Sequence, residues 1–121
     1  MQAAKLKPYP WKRLWRTFAA GTVVQIEFLR AARAEAREQA AYYQEIEAGL
    51  DECFIDELDR ILALLSAYPA IGQRIAEDVR RLDLTGFPHA VVYRLEQGRL
   101  LILAISHHRR RPGYWRGRLS N

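Results

Sequence analysis

Residues 88–107 read Pro-His-Ala-Val-Val-Tyr-Arg-Leu-Glu-Gln-Gly-Arg-Leu-Leu-Ile-Leu-Ala-Ile-Ser-His, and this stretch decides the fold. Ala90 to Leu95 is rich in β-branched and aromatic side chains. It is entered from Pro88, where a missing N–H donor does least harm to a strand. Gln97-Gly98 supplies a tight turn. Leu100 to Ile105 is apolar on both faces of an extended chain, the pattern of a central strand covered above and below. The two runs form a hairpin inside a sheet. Just upstream, Val79 to Leu84 supplies a further short strand, which makes a three-stranded antiparallel meander.

Further upstream the period changes. Val23 to Leu29 alternates Val24, Ile26 and Phe28 with Gln25 and Glu27, as a half-buried strand does. From Arg30 to Ala48 strong helix formers dominate, and Leu29, Ala32, Ala36, Ala40 and Tyr43 recur every three or four residues to give a narrow face of mostly small side chains. Gly49 is placed to end that helix in a left-handed turn, and Asp51 to cap the next. Phe54, Leu58, Ile61, Leu62, Leu65 and Tyr68 form the apolar stripe of the second helix, which Pro69 stops. So short a connection predicts an antiparallel helix hairpin. A loop holding Pro69 and Gly72 leads into the meander. The expected fold class is α+β: an N-terminal strand, the hairpin, three antiparallel strands and a basic C-terminal tail, with the helices on one side of a small, largely antiparallel sheet.

The chain has 121 residues, half of them hydrophobic, which allows one compact domain. Residues 1–22 read as a separate basic, aromatic extension, holding Pro8, Pro10, Tyr9, Trp11, Trp15, Phe18 and all of the lysines. They are expected to be upstream sequence included by a misplaced start, the domain itself running over 23–121. The alternative is a genuine arm for nucleic acid or a membrane surface. No apolar run approaches the roughly 20 residues of a membrane span, and the start lacks the apolar stretch of a secretory signal. A lone Cys53 points to a reducing cytoplasm and to a small buried apolar side chain. No set of His, Cys and acidic residues has metal-ligand spacing, and no cofactor is expected.

The net charge of +5 matters less than its distribution. Val23 to Asp59 carries three arginines against ten acids, and Arg60 to Asn121 eleven arginines against four acids. Such polarity predicts a face for an anionic partner. Every basic residue after Lys12 is arginine, which favours bidentate contact with carboxylate or phosphate.

A set of short motifs gives these features a family. Ala40-Ala41-Tyr42-Tyr43 precedes Gly49-Leu50 and Phe54. Tyr68-Pro69 ends the second helix, and Arg80-Arg81-Leu82 comes before Phe87-Pro88-His89-Ala90-Val91-Val92-Tyr93-Arg94. Ile102-Leu103-Ala104-Ile105 leads into His107, Arg109-Arg110, Pro112, Tyr114-Trp115 and Arg118. In this order and spacing, from about Val24 to Leu119, the chain resembles ParE-like toxins of the RelE/ParE superfamily. The resemblance implies a growth-inhibiting toxin of the plasmid-stabilisation kind, held inactive by a ParD-like antitoxin encoded beside it. Operator DNA would be contacted indirectly, through the antitoxin. RelE-like members cut messenger RNA on the ribosome, whereas ParE-like members poison DNA gyrase without chemistry of their own. Arg81, Arg109 and Tyr114 fall near positions that serve RelE. However, no lysine lies beyond Lys12, and Ala90 stands about where RelE has another arginine. A guanidinium is a poor general base. The expectation is therefore a non-enzymatic gyrase poison. An mRNA endonuclease is the first alternative, and an inactive homologue acting only as antitoxin-binding co-repressor the second.

The residues expected to contact target or antitoxin are Arg80, Arg81, Arg109, Arg110, Arg111, Tyr114, Trp115 and Arg118. A basic run next to large aromatics suits a stacking or phosphate-facing surface. Arg80 and Arg81 have the competing option of pairing with Glu77, Asp78 or Asp83. Tyr42, Tyr43 and Phe54 are read as core. His89 is expected to pack or cap, and His107 and His108 to serve structure or partner contact rather than acid–base chemistry.

Overall fold

The computed structural model describes residues 25–119. The chain runs β1 (Gln25–Phe28), α1 (Arg30–Ile46), α2 (Leu50–Ala67), β2 (Gln73–Ala76), β3 (Val79–Asp83), β4 (His89–Glu96) and β5 (Arg99–His107), and ends in a 3-10 turn over Arg116–Leu119. The strands form a single sheet in the order β1-β5-β4-β3-β2. β2 to β5 are antiparallel neighbours, while β1 lies parallel to β5 with Ile26 opposite Leu100 and Phe28 opposite Ile102. The α+β class is as expected. The meander, however, has a fourth strand, β2, in what reads as loop. It is four mostly exposed residues with an irregular register against β3, too short and polar to show an alternation. The expectations for residues 1–22 lie outside the described residues.

Both faces of the sheet are covered. Ala32, Ala36, Ala40 and Tyr43 of α1 and Phe54, Leu58, Ile61, Leu62 and Leu65 of α2 pack with Ile26, Phe28, Val91, Tyr93, Leu100, Ile102 and Ile105. On the opposite face Val79, Val92, Leu101, Leu103 and Ala104 bury against Trp115, with Tyr114 and Leu119 alongside. A bulge lets β5 serve both: Val92 faces Ala104 and Tyr93 faces Ile102, so Leu103 is the extra residue. Leu103 and Ala104 then share the tail face, and Ile105 returns to the helix face. This is why the Leu100 to Ile105 run shows no alternation.

Several local readings need correction. The first helix ends at Ile46 with Glu47 as its C-cap, short of the expected Ala48. Gly49, φ 89°, is left-handed as expected but serves as the N-cap of α2, and Asp51 sits buried within its first turn instead of capping it. Cys53 is exposed. It lies one residue, about 100° of helical rotation, before Phe54, which carries it off the buried stripe. Tyr68 is 63% exposed because the helix has ended and its backbone (φ −134°, ψ 75°) swings the ring outward. Tyr42 is exposed while Tyr43 and Phe54 are core.

Candidate functional site

The tail folds back across the sheet face that the helices leave open, and a cleft of about 210 Å³ remains between them. Arg81 on β3, Val92 on β4, Ser106 and His107 at the end of β5, and His108, Arg110, Arg111, Trp115 and Arg116 of the tail line it. Strand alternation decides which arginines reach it. Arg81 projects to the tail side, where it binds Asp83 Oδ1 at 2.9 Å. Its neighbour Arg80 projects to the helix side and donates to the carbonyls of Ala70 and Gly72 at 3.1 and 2.8 Å, fastening the loop after α2. Arg81 thus takes one of the expected acidic partners and Arg80 none of the three.

The tail residues divide in the same way. Arg109, Arg110 and Arg111 are exposed, and no ion pair engages them among the described residues. The Arg110 guanidinium lies 3.8 Å from the centre of the Tyr114 ring, and that of Arg118 covers the same ring at 5.1 Å. Tyr114 donates its hydroxyl to Glu35 Oε2 at 2.8 Å, and Arg118 pairs with Glu35 and donates to the carbonyl of Leu103. Trp115 is 3% exposed and belongs to the core. Neither ring therefore offers a face on which a base would stack. Burial, then the Glu35 carboxylate, pushes Tyr114 up to about 12, so it stays a neutral donor.

Three histidines meet at one end of the sheet. His89 is fully buried among Tyr43, Phe54 and Phe87, with Nε2 2.9 Å from Gln39 Oε1. Burial, and then His107 and His108, hold it down to about 4. It packs, as expected. His107 stacks edge-on to it at 4.9 Å. The Arg109 backbone N–H donates to His107 Nδ1 at 3.0 Å, so the ring hydrogen of the neutral form sits on Nε2. Burial, then Arg109 and His108, keep His107 below its usual range. His108 Nε2 lies 3.7 Å from Asp83 Oδ1. Among the described residues no group of three or more His, Cys, Asp and Glu is placed to hold a metal ion.

Glu35 and Gln39 are absent from the sequence reading although they anchor the site. They stand one helical turn apart on α1, and Glu35 is the acid set beside Ala32 and Ala36 on the narrow face. A carboxylate flanking a small-residue face is the one hint of it in the sequence, and that hint does not name its partners.

A helix hairpin covers one face of the five-stranded sheet and a basic tail closes the other. The solved structure of the chromosomal ParDE TA system from P. aeruginosa has the same fold: TM-score 0.62 over 70% of this chain and 96% of that one, at 18% identity. Among curated proteins none matches the sequence. A family model described as the ParE toxin of type II toxin-antitoxin system, parDE, matches residues 26–112. The chain belongs to that family, which bears out the resemblance read from its motifs. The stretch 113–119, which brings Tyr114, Trp115 and Arg118, lies beyond the matched span.

Proposed function

We propose that this toxin acts by binding and poisoning DNA gyrase, without chemistry of its own, and that a ParD-like antitoxin encoded beside it neutralises it. Operator DNA is then contacted through the antitoxin. The observation carrying this reading is the character of the cleft, where guanidinium groups bind anions but do not take protons near neutral pH. Tyr114, whose hydroxyl is engaged by Glu35, and His107, whose Nδ1 is engaged by the Arg109 N–H, support it further. Arg81, Arg109, Arg110 and Arg111 face the target in this reading. Arg80, Tyr114, Trp115 and Arg118 act indirectly, by holding the loop and the tail. Tyr42 and Ile46, exposed and one turn apart on α1, supply an apolar contact for the antitoxin.

One observation favours a second reading, cleavage of ribosome-bound messenger RNA: His108 stands next to Asp83 at the rim that also holds Arg81, and a histidine–carboxylate pair is an acid–base device. Induction in cells tests the toxin reading that both mechanisms share. Growth should stop, and co-expression of the adjacent antitoxin should restore it. Normal growth with soluble, full-length protein would leave the co-repressor role.

A further inference from the structure

The cleft is more specific than a basic patch. We infer that it is a binding site for a single phosphate group, read by charge and not by an attached base. The inference does not depend on which enzyme the toxin attacks.

Four guanidinium groups, of Arg81, Arg110, Arg111 and Arg116, and the imidazoles of His107 and His108 line the cleft from two separate parts of the chain. Among the described residues no carboxylate is part of the lining, and Asp83 approaches only from the rim, through Arg81. At about 210 Å³ it falls below the roughly 300–1,000 Å³ of sites that enclose a drug-sized heterocycle. It suits a compact anion. The neighbouring aromatic rings are taken, Trp115 by the core and Tyr114 by two arginines, so a nucleobase would find no stacking partner.

Phosphate is favoured over carboxylate by the contacts already present. Arg81 holds the carboxylate of Asp83, to which His108 is also directed. A carboxylate ligand would exchange like for like at Arg81. A phosphate brings more oxygens and more charge, and so engages Arg81 together with the tail arginines. Asp83 then acts as an internal competitor: 60% exposed, it occupies the donor that the ligand needs. Its removal should tighten binding.

The test uses the full chain with inorganic phosphate, pyrophosphate, a short single-stranded oligonucleotide and a glutamate-rich peptide as probes. Binding is followed by nuclear magnetic resonance of the His107, His108 and Trp115 side chains. Saturable shifts with the phosphate-bearing probes are expected. Arg111→Ala should weaken binding about tenfold and lower the salt dependence of oligonucleotide binding by about one charge. Asp83→Asn should tighten it by about threefold or more. Arg60→Ala, on α2 across the sheet, should change nothing. Both cleft substitutions fall on exposed side chains, and thermal melts verify that each variant folds. An oligonucleotide far tighter than pyrophosphate identifies a strand backbone as the source, and equal binding a free phosphate compound. Absence of saturable binding, a glutamate peptide as tight as the phosphate probes, or no gain in Asp83→Asn overturns the proposal.

Discussion

The carboxylate of Glu35 and the guanidinium of Arg118, 83 positions apart, meet in two contacts of 3.1 and 2.8 Å. Glu35 Oε1 also accepts the Ile105 N–H at 3.0 Å, and Arg118 donates to the Leu103 carbonyl at 2.8 Å. β1 pairs with β5 as far as Ile102. Past that point the ion pair takes over the work of the missing strand and satisfies the backbone edge of β5. The same carboxylate holds the Tyr114 hydroxyl, so one residue of α1 fixes both the sheet edge and the tail that forms the cleft.

Replacing Glu35 by alanine leaves Arg118, Tyr114 and the Ile105 N–H without their acceptor. Glu35 and Arg118 are mostly buried, with 14% and 21% of their side chains exposed. We expect a loss of about 3 kcal/mol and a fall in Tm of about 10 °C or more. Trypsin should then cut after Arg109 and Arg110 much faster than in the parent protein. A melting temperature unchanged to within about 2 °C would show that the tail is held by its apolar contacts alone.

The loop between α2 and β2 has a second lock. The Tyr93 hydroxyl donates to Pro69 O at 2.7 Å and accepts from Gly72 N at 2.9 Å. A Cβ on Gly72 would stand 2.6 Å from that oxygen and 2.8 Å from the Arg81 carbonyl, so only glycine fits. Tyr93→Phe, which strands the buried Gly72 N–H and the half-buried Pro69 carbonyl, should cost about 2 kcal/mol, and Gly72→Ala at least as much. Denaturant unfolding of the two variants and their combination checks this. Fully additive effects would contradict a shared lock.

A buried histidine and a half-buried carboxylate set opposite responses to pH. His89 titrates near 6.5 when unfolded and at about 4 when folded. Between those values the unfolded chain holds the extra proton, so acidification favours unfolding. Asp59 behaves inversely: burial, then Asp56, push it up to about 7 from 3.8, and its Oδ1 has no hydrogen-bond partner among the described residues. The folded chain holds the extra proton there, and stability is lost as pH rises towards 7. Asp59→Asn should therefore stabilise at pH 8 by on the order of 2 kcal/mol, allowing for its partial exposure, with the gain gone by pH 4. In that variant, going from pH 7 to 5 should cost about 2 kcal/mol through His89. A gain from Asp59→Asn that is constant across pH would contradict the assignment. The measurement is urea unfolding across the range.

The sequence was legible wherever a period or a breaker stood alone. The helix hairpin, β1, β3, β4 and β5 follow from apolar spacing, Gly49, Pro69 and the Gln97-Gly98 turn. β2 was illegible because four polar edge residues carry no alternation and depend on β3 for their pairing. At the site, the run Arg109-Arg110-Arg111 announced itself. Arg80 and Arg81 were read together, although they are neighbours on a strand and so project to opposite faces. Glu35 was not legible, since its partners at Ile105, Tyr114 and Arg118 come near only after the sheet has formed. Trp115 read as surface for the same reason: the run Leu100 to Ile105 predicted a second covered face, but nothing in the spacing named the tail as its cover.

The most direct measurement brings purified toxin separately to DNA gyrase and to programmed ribosomes. Inhibited supercoiling or trapped cleaved-DNA complexes are expected, with messenger RNA left intact. Arg109→Ala combined with Arg111→Ala should weaken the effect on gyrase about thirtyfold, equivalent to about 2 kcal/mol. Both are exposed, so that variant should fold, whereas Trp115→Ala would open the core. Codon-specific cleavage of messenger RNA by substoichiometric toxin, with gyrase unaffected and cleavage abolished by His108→Ala or Arg81→Ala, would contradict the account and make the protein an enzyme.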